Sequence, residues 1–186
     1  MWKQVLLCLP LLLLPMHAVA DDEYDEAIKV YKAVGASSKL FDSAYGYAVF
    51  PTIGKGAVGV GGAHGPGRVY VKGKHVANTT MTQLSVGWQL GAEAFSEIIF
   101  FEDKRAFDNF TNGNFEFGAE AKAVAVTASA GGQASTTGSS ATASAGQHDA
   151  STVGMYQNGT AVFTVTKGGL MYEAALAGQK FTYKPV

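Results

Sequence analysis

The chain has 186 residues, with 14 lysines and arginines against 15 aspartates and glutamates and a single cysteine, Cys8. Such a balance argues against a general nucleic-acid binder, whose footprint is strongly basic. One cysteine cannot build a disulfide framework or a cysteine zinc site.

Residues 1–20 read as a Sec-type signal peptide. A short basic start, Met1-Trp2-Lys3, precedes an apolar run from Val5 to Leu14, and Ala18-Val19-Ala20 is a small-x-small cleavage site with Asp21-Asp22 just beyond. The run is too short to span a bilayer and is broken by Pro10 and Pro15. Cys8 follows Leu7 inside the apolar run, where a lipoprotein needs a small residue, so acylation is not expected. The expectation is a periplasmic or secreted protein that starts at Asp21. Losing Lys3 leaves 13 of the 14 basic residues against 15 acids. The remaining chain, roughly 166 residues, is long enough for one domain that buries about 70% of its unfolded surface.

Asp22 to Val34 carries helical spacing, with Tyr24, Ala27, Ile28, Tyr31 and Val34 on one stripe and Asp25, Glu26, Lys29 and Lys32 opposite. Acids favour its first turn and Gly35 ends it. Its mixed polar face suits packing on a sheet better than lying on a membrane. A second short helix is expected from an N-cap at Ser38 to Ala44.

The stretch from Tyr45 to Lys74 then packs seven glycines, at 54, 56, 59, 61, 62, 65 and 67, between a Phe50-Pro51 step and an alternating Val69/Val71 strand. Gly54-Lys55-Gly56-Ala57-Val58-Gly59 spells G-x-G-x-x-G, but Pro51 precedes it, glycines follow where a helix should open, and no acid stands between Asp42 and Glu93. A dinucleotide site is therefore not expected. The stretch predicts a glycine-rich strand over 56–63, a turn at His64-Gly65-Pro66-Gly67 and a second strand over 68–74. Gly59 and Gly61 are read as structural, needed for close backbone approach within that hairpin.

A third strand is expected over 75–80, a turn over 81–85, and a long alternating strand from Val86 to Phe101. Asp103 caps a short helix over 104–111 whose inner face holds Ala106, Phe107 and Phe110. Gly118 to Ala130 alternates small residues as a strand would. Residues 129–152 are serine, threonine, alanine and glycine with almost no large apolar group, which predicts a mobile loop, part of which could extend neighbouring strands. Strands at about 153–157, 160–167, 170–176 and 180–184 close the chain, joined by turns at Asn158-Gly159, Gly168-Gly169 and Ala177-Gly178-Gln179. The fold class that follows is α+β: a large, mostly antiparallel, curled and barrel-like β-sheet covered by two or three short helices.

Ala48-Val49-Phe50-Pro51, Lys55-Gly56, Ser85-Val86-Gly87-Trp88-Gln89-Leu90-Gly91-Ala92-Glu93, Phe117-Gly118-Ala119-Glu120-Ala121 and Thr166-Lys167-Gly168-Gly169-Leu170 follow one another in an order that resembles the SYLF-domain family. Gly131-Gly132-Gln133-Ala134 departs from the pattern, lacking its proline and arginine. The resemblance implies a single lipid-binding or actin-associated domain over 21–186, of an exported bacterial type, without the modular partner domains of eukaryotic members.

No reaction chemistry emerges. Gln83 stands where a nucleophile elbow at Ser85 needs glycine. Glu93 and Glu97, four apart on one strand, lie ~13 Å from each other, too far for a glycosidase pair. His64, His75 and His148 show no metal-ligand spacing. The expectation is a non-enzyme with no cofactor and no metal.

One surface suggests a ligand. Arg68, Tyr70, Lys72 and Lys74 alternate with Val69 and Val71, and Lys55 lies across the expected glycine turn. Cations and an aromatic on one face suit anionic lipid headgroups or a membrane surface, at ~1 kcal/mol per basic residue. The same pattern fits a plain solvated face whose edge lysines deter aggregation. A protein partner is the second functional reading.

Overall fold

The computed structural model describes residues 17–33, 35–113, 115–117, 123–128, 134–136, 156–167 and 178–186. The chain opens with helices α1 (His17–Ala33) and α2 (Gly35–Ser43). A long hairpin follows, strands β1 (Gly46–Val71) and β2 (Lys74–Phe101), and then helix α3 (Lys104–Thr111). Strands β3 (Ala123–Ala128), β4 (Ala134–Thr136), β5 (Thr160–Lys167) and β6 (Gln179–Pro185) complete the described elements. The six strands form one open sheet ordered β1-β2-β5-β3-β4, with β6 also paired to β2. All pairs are antiparallel except β3 with β5. The α+β class and the curled, mostly antiparallel sheet with three helices are as the sequence implies.

The hairpin differs from the sequence reading. His64-Gly65-Pro66-Gly67 is not a turn: it runs straight through β1, paired with residues 79–82 of β2. The chain reverses at Lys72-Gly73, both with positive φ (50° and 75°), as in the type I′ turns that match strand twist. The strands expected at 75–80 and 86–101, and the turn between them, are one strand. Pro66 is tolerated because β1 ends the strand order and needs ladder bonds on one side only. Pro51 sits at the irregularity between Phe50 and Ile53.

A flat 26-residue strand would reach roughly 85 Å, about twice the width of a domain this size, so β1 has to coil. Register shifts between Phe50 and Ile53, Val58 and Val60, and Val69 and Tyr70 supply the bends. The two ends of β1 then press on each other. A Cβ at Gly67 would fall 2.4 Å from Phe50 Cδ1, one at Gly65 2.7 Å from the Thr52 carbonyl oxygen, and one at Gly46 2.6 Å from that of Tyr70. Among the glycines of β1 whose surroundings are described, 46, 65 and 67 permit close approach, and the expectation for Gly61 is not tested by them. Gly59 lies outside the described side-chain environments.

Coiling creates two cores. The first lies inside the curl and joins Phe50, Ile53, Val69, Met81, Ile99 and Phe101 to Phe110 of α3, Phe117 and Phe181 of β6. The second lies on the outer side of the first half of the hairpin, where Tyr47, Val49, Ile98, Phe100 and Phe163 meet Tyr24, Ala27 and Tyr31 of α1 and Leu40 of α2. Tyr31 is fully buried and its hydroxyl donates to Ser96 Oγ at 3.1 Å.

Local expectations fare variously. Asp103 caps α3, its Oδ1 accepting from the Ala106 amide at 2.8 Å. Asn158-Gly159 turns with φ of 52° and 81°. Helix α1 begins at His17, earlier than the predicted Asp22, so the acids lie inside it and the expected cleavage point after Ala20 falls within a helix. Helix α2 starts at Gly35, so Ser38 is an internal residue whose hydroxyl bonds the Gly35 carbonyl at 3.2 Å, not a cap. Residues 134–136, inside the segment read as a loop, pair with β3. The rest of 129–152, the turn at 168–169 and the strand expected at 170–176 lie outside the described residues.

Candidate functional site

The second half of the hairpin, with β6 beside it, forms a three-stranded layer whose two faces are sharply different. Residues 63, 65, 67 and 69 of β1, 77, 79, 81 and 83 of β2, and 179 and 181 of β6 are buried. Their neighbours His64, Pro66, Asn78, Thr82, Leu84, Lys180, Thr182 and Lys184 are exposed, with Arg68 and Thr80 half-buried. Period-two alternation on three paired strands puts all ten on one outer face. Register aligns them in rows: Arg68 with Asn78 and Lys184, Pro66 with Thr80 and Thr182, His64 with Thr82 and Lys180.

That face carries three cations and no acid. Its polar remainder is hydroxyl, amide and imidazole, all capable of donating hydrogen bonds. His64 Nδ1 lies 3.2 Å from Thr82 Oγ1. At one end stand Lys72 and Lys74, exposed at the hairpin turn. Toward the other end is Leu84, a large apolar side chain that is 78% exposed. Lys180 also reaches Glu116 at 3.3 Å, with both side chains open to solvent. Such an exposed pair is worth little and leaves the lysine available.

The five residues singled out from sequence separate on this framework. Lys72 and Lys74 are exposed together at the turn. Arg68 is on the outer face, its guanidinium 4.2 Å from the centroid of the Tyr24 ring of α1. Tyr70 is 9% exposed, its ring stacked on Tyr47 at a centroid distance of 5.1 Å. Burial raises the Tyr47 hydroxyl to about 12 and raises that of Tyr24 against the lowering effect of Arg68, so both are neutral hydrogen-bonding groups. Lys55 does not join them: with no turn at 64–67, it stands opposite Glu93 in the first half of the hairpin. Lys180 and Lys184 were missed by sequence reasoning because only the β2–β6 register, which pairs residues about a hundred positions apart, brings them beside Arg68. The signal available was the alternation of Gln179, Phe181 and Tyr183 with Lys180, Thr182 and Lys184.

Fold and face together define an α+β domain with a coiled sheet and one cationic, donor-rich surface. The chain belongs to the Ysc84 family, described as Las17-binding protein actin regulator, whose model matches residues 82–184. This is the SYLF-type domain that the motifs at 85–93, 117–121 and 166–170 resemble; the segments at 48–51 and 55–56 precede the matched region. The chain is also 28% identical over 156 residues to Beta cell expansion factor A of Aeromonas veronii, covering 83% of this chain and 51% of that protein. It thus spans about half the length of this curated relative.

Proposed function

We propose that this chain is an exported, non-enzymatic lipid-binding domain that associates with membranes through anionic lipid headgroups on the outer β1-β2-β6 face. The observation that carries the reading is the uniform sign of that face: Arg68, Lys180 and Lys184 in paired rows, Lys72 and Lys74 at its tip, and no acid among them. Headgroup phosphates would meet lysine ammonium groups and threonine hydroxyls, while Leu84 would enter the interfacial region. Tyr70, buried and packed on Tyr47, would not insert, and the ring that lies against Arg68 is that of Tyr24. Family membership favours a lipid- or actin-related binding role, and the family's actin-regulator description keeps a protein partner as the second reading for the same face.

The test is co-sedimentation with phosphatidylglycerol-containing and pure phosphatidylcholine vesicles. Changing Lys72, Lys74, Lys180 and Lys184 together to Gln removes four terms of ~1 kcal/mol each, so affinity for the anionic vesicles should fall by about 10³. Lys55→Gln alone should change it far less. Binding should weaken as salt shortens the Debye length from ~10 Å at 0.1 M to ~3 Å at 1 M. Unchanged anionic-vesicle binding by the folded quadruple variant would refute the reading and leave the protein-partner alternative.

A further inference from the structure

Glu97 is the buried charge that the cationic face does not use. It projects into the inner core of the curl from β2, between Phe50 of β1 and Thr164 of β5 in the register, and is 0% exposed. Among the described residues its side-chain hydrogen bond comes from Gln179, at the start of β6, whose Nε2 donates to Glu97 Oε2 at 3.1 Å. Gln179 is also 0% exposed. Glu97 Oε1 and Gln179 Oε1 are both buried and have no partner among the described residues, as is Thr164 Oγ1.

The two partnerless oxygens belong to the two groups that already share one hydrogen bond. A carboxylic acid and a primary amide form a ring of two hydrogen bonds: the amide N–H donates to one acid oxygen, and the acid O–H donates to the amide oxygen. The N–H half of that ring is present. The other half requires a proton, because an ionised carboxylate can accept but not donate. One proton on Oε1 would therefore satisfy two buried acceptors and remove a buried charge at once.

We propose that Glu97 and Gln179 form a proton-dependent latch that fastens β6 to the central strand of the sheet. With the proton bound, two hydrogen bonds join the strands across the core. With it lost, the bond from Gln179 remains, and the buried carboxylate carries a charge that no cation among the described residues is shown to pair. The surroundings support this assignment. Phe50, Thr164 and Gln179 are the groups that β1, β5 and β6 bring to the carboxyl. On α1 the titratable group within electrostatic reach is Tyr31, which burial holds neutral. Burial pushes the Glu97 carboxyl up to about 7, with the Gln179 bond acting against it. The latch thus changes state close to neutral pH. Gln179 anchors the strand that carries Phe181 into the core and Lys180 and Lys184 to the outer face. This inference does not depend on what that face binds.

The sign follows from linkage. The folded state holds the proton more tightly than the unfolded chain, so the stabilisation is full below the unfolded value of 4.5 and is lost as pH rises through about 7. For those two values the folding equilibrium constant should fall about 30-fold between pH 5.5 and pH 8.5 from this group alone. Glu97→Gln supplies an uncharged donor and acceptor, so the variant should be more stable than wild type at pH 8.5 and should lose this pH dependence. The direct readout is the side-chain amide resonance of Gln179 in the wild-type protein, which should titrate with a midpoint near neutrality. Matching pH profiles for wild type and Glu97→Gln would overturn the latch. A Gln179 amide that does not move between pH 5.5 and pH 8.5 would overturn it too, and that measurement needs no variant to fold.

Discussion

Gly67→Ala tests the coiling of β1 most directly. The added methyl carbon would lie 2.4 and 2.5 Å from Phe50 Cδ1 and Cε1 and 2.9 Å from Thr79 Cγ2. Carbon atoms settle at ~3.5–4.0 Å, so the Phe50 ring must retreat by more than an ångström. It has little room: Phe50 is 0% exposed and Phe181 stands behind it at a ring-centroid distance of 5.6 Å. Overpacking of this kind costs ~1–3 kcal/mol. Lower backbone entropy in the unfolded chain returns ~0.4–1 kcal/mol, because the strand conformation at Gly67 suits alanine. The net expectation is a destabilisation of ~1–2 kcal/mol, or ~2–8 °C in Tm for a domain of this size. Phe50→Leu takes ring atoms away from the clash. The double variant should therefore be less destabilised than the sum of the singles, with a coupling of ~1–2 kcal/mol by urea unfolding at constant m. Gly54→Ala and Gly56→Ala, with open space where the methyl would go, serve as controls and should stay within ~0.5 kcal/mol. Additive singles, or a Gly67→Ala variant as stable as wild type, would show that the two ends of β1 do not meet and that His64–Gly67 is free to turn.

Two further outcomes are expected. On the signal-peptide reading the mature protein should begin at Asp21, and its intact mass should show cleavage after Ala20 with no lipid on Cys8; a start displaced by more than a few residues contradicts that reading. Asp103→Ala should cost ~1 kcal/mol by removing the acceptor for the Ala106 amide at the start of α3, measured by the same urea titration.

The fold was legible where local chemistry decides structure. Asp103 announces a helix because a short acidic side chain satisfies a free amide of the first turn, and Asn158-Gly159 announces a hairpin because both residues tolerate positive φ. His64-Gly65-Pro66-Gly67 misleads for the opposite reason. Its glycines are needed at 65 and 67 because other parts of β1 press on them, and its proline is allowed because β1 lies at the sheet's end. Neither condition is local. The actual turn, Lys72-Gly73, asks a lysine to take a left-handed backbone, which sequence preferences do not favour. Glu97 was read as facing away from Ile98 and Phe100, which it does; what the sequence could not say is that the other side of the strand is also a core.

The cationic face was half legible, and the missing half bears on its interpretation. Alternation along 68–74 assumes an unbroken strand, but the shift between Val69 and Tyr70 and the turn at 72–73 break it. What replaces that stripe is a surface assembled from three strands, two of them paired with β2 on opposite sides. Lysines that merely blunt an exposed edge would explain Lys184, near the end of β6, but less so Lys180, which is bridged to Glu116 on the side of β6 away from β2. They would not explain Leu84. It lies on β2, the strand between the other two, beyond Thr82 on the same outer side, and it is 78% exposed. Protection against aggregation is poorly served by an open leucine beside a row of hydrogen-bonding groups. A surface that first attracts anionic headgroups and then places one apolar side chain among them accounts for both features. Leu84→Asn should therefore weaken binding to anionic vesicles at high salt proportionally more than at low salt, because the apolar contribution persists when the electrostatic one is screened.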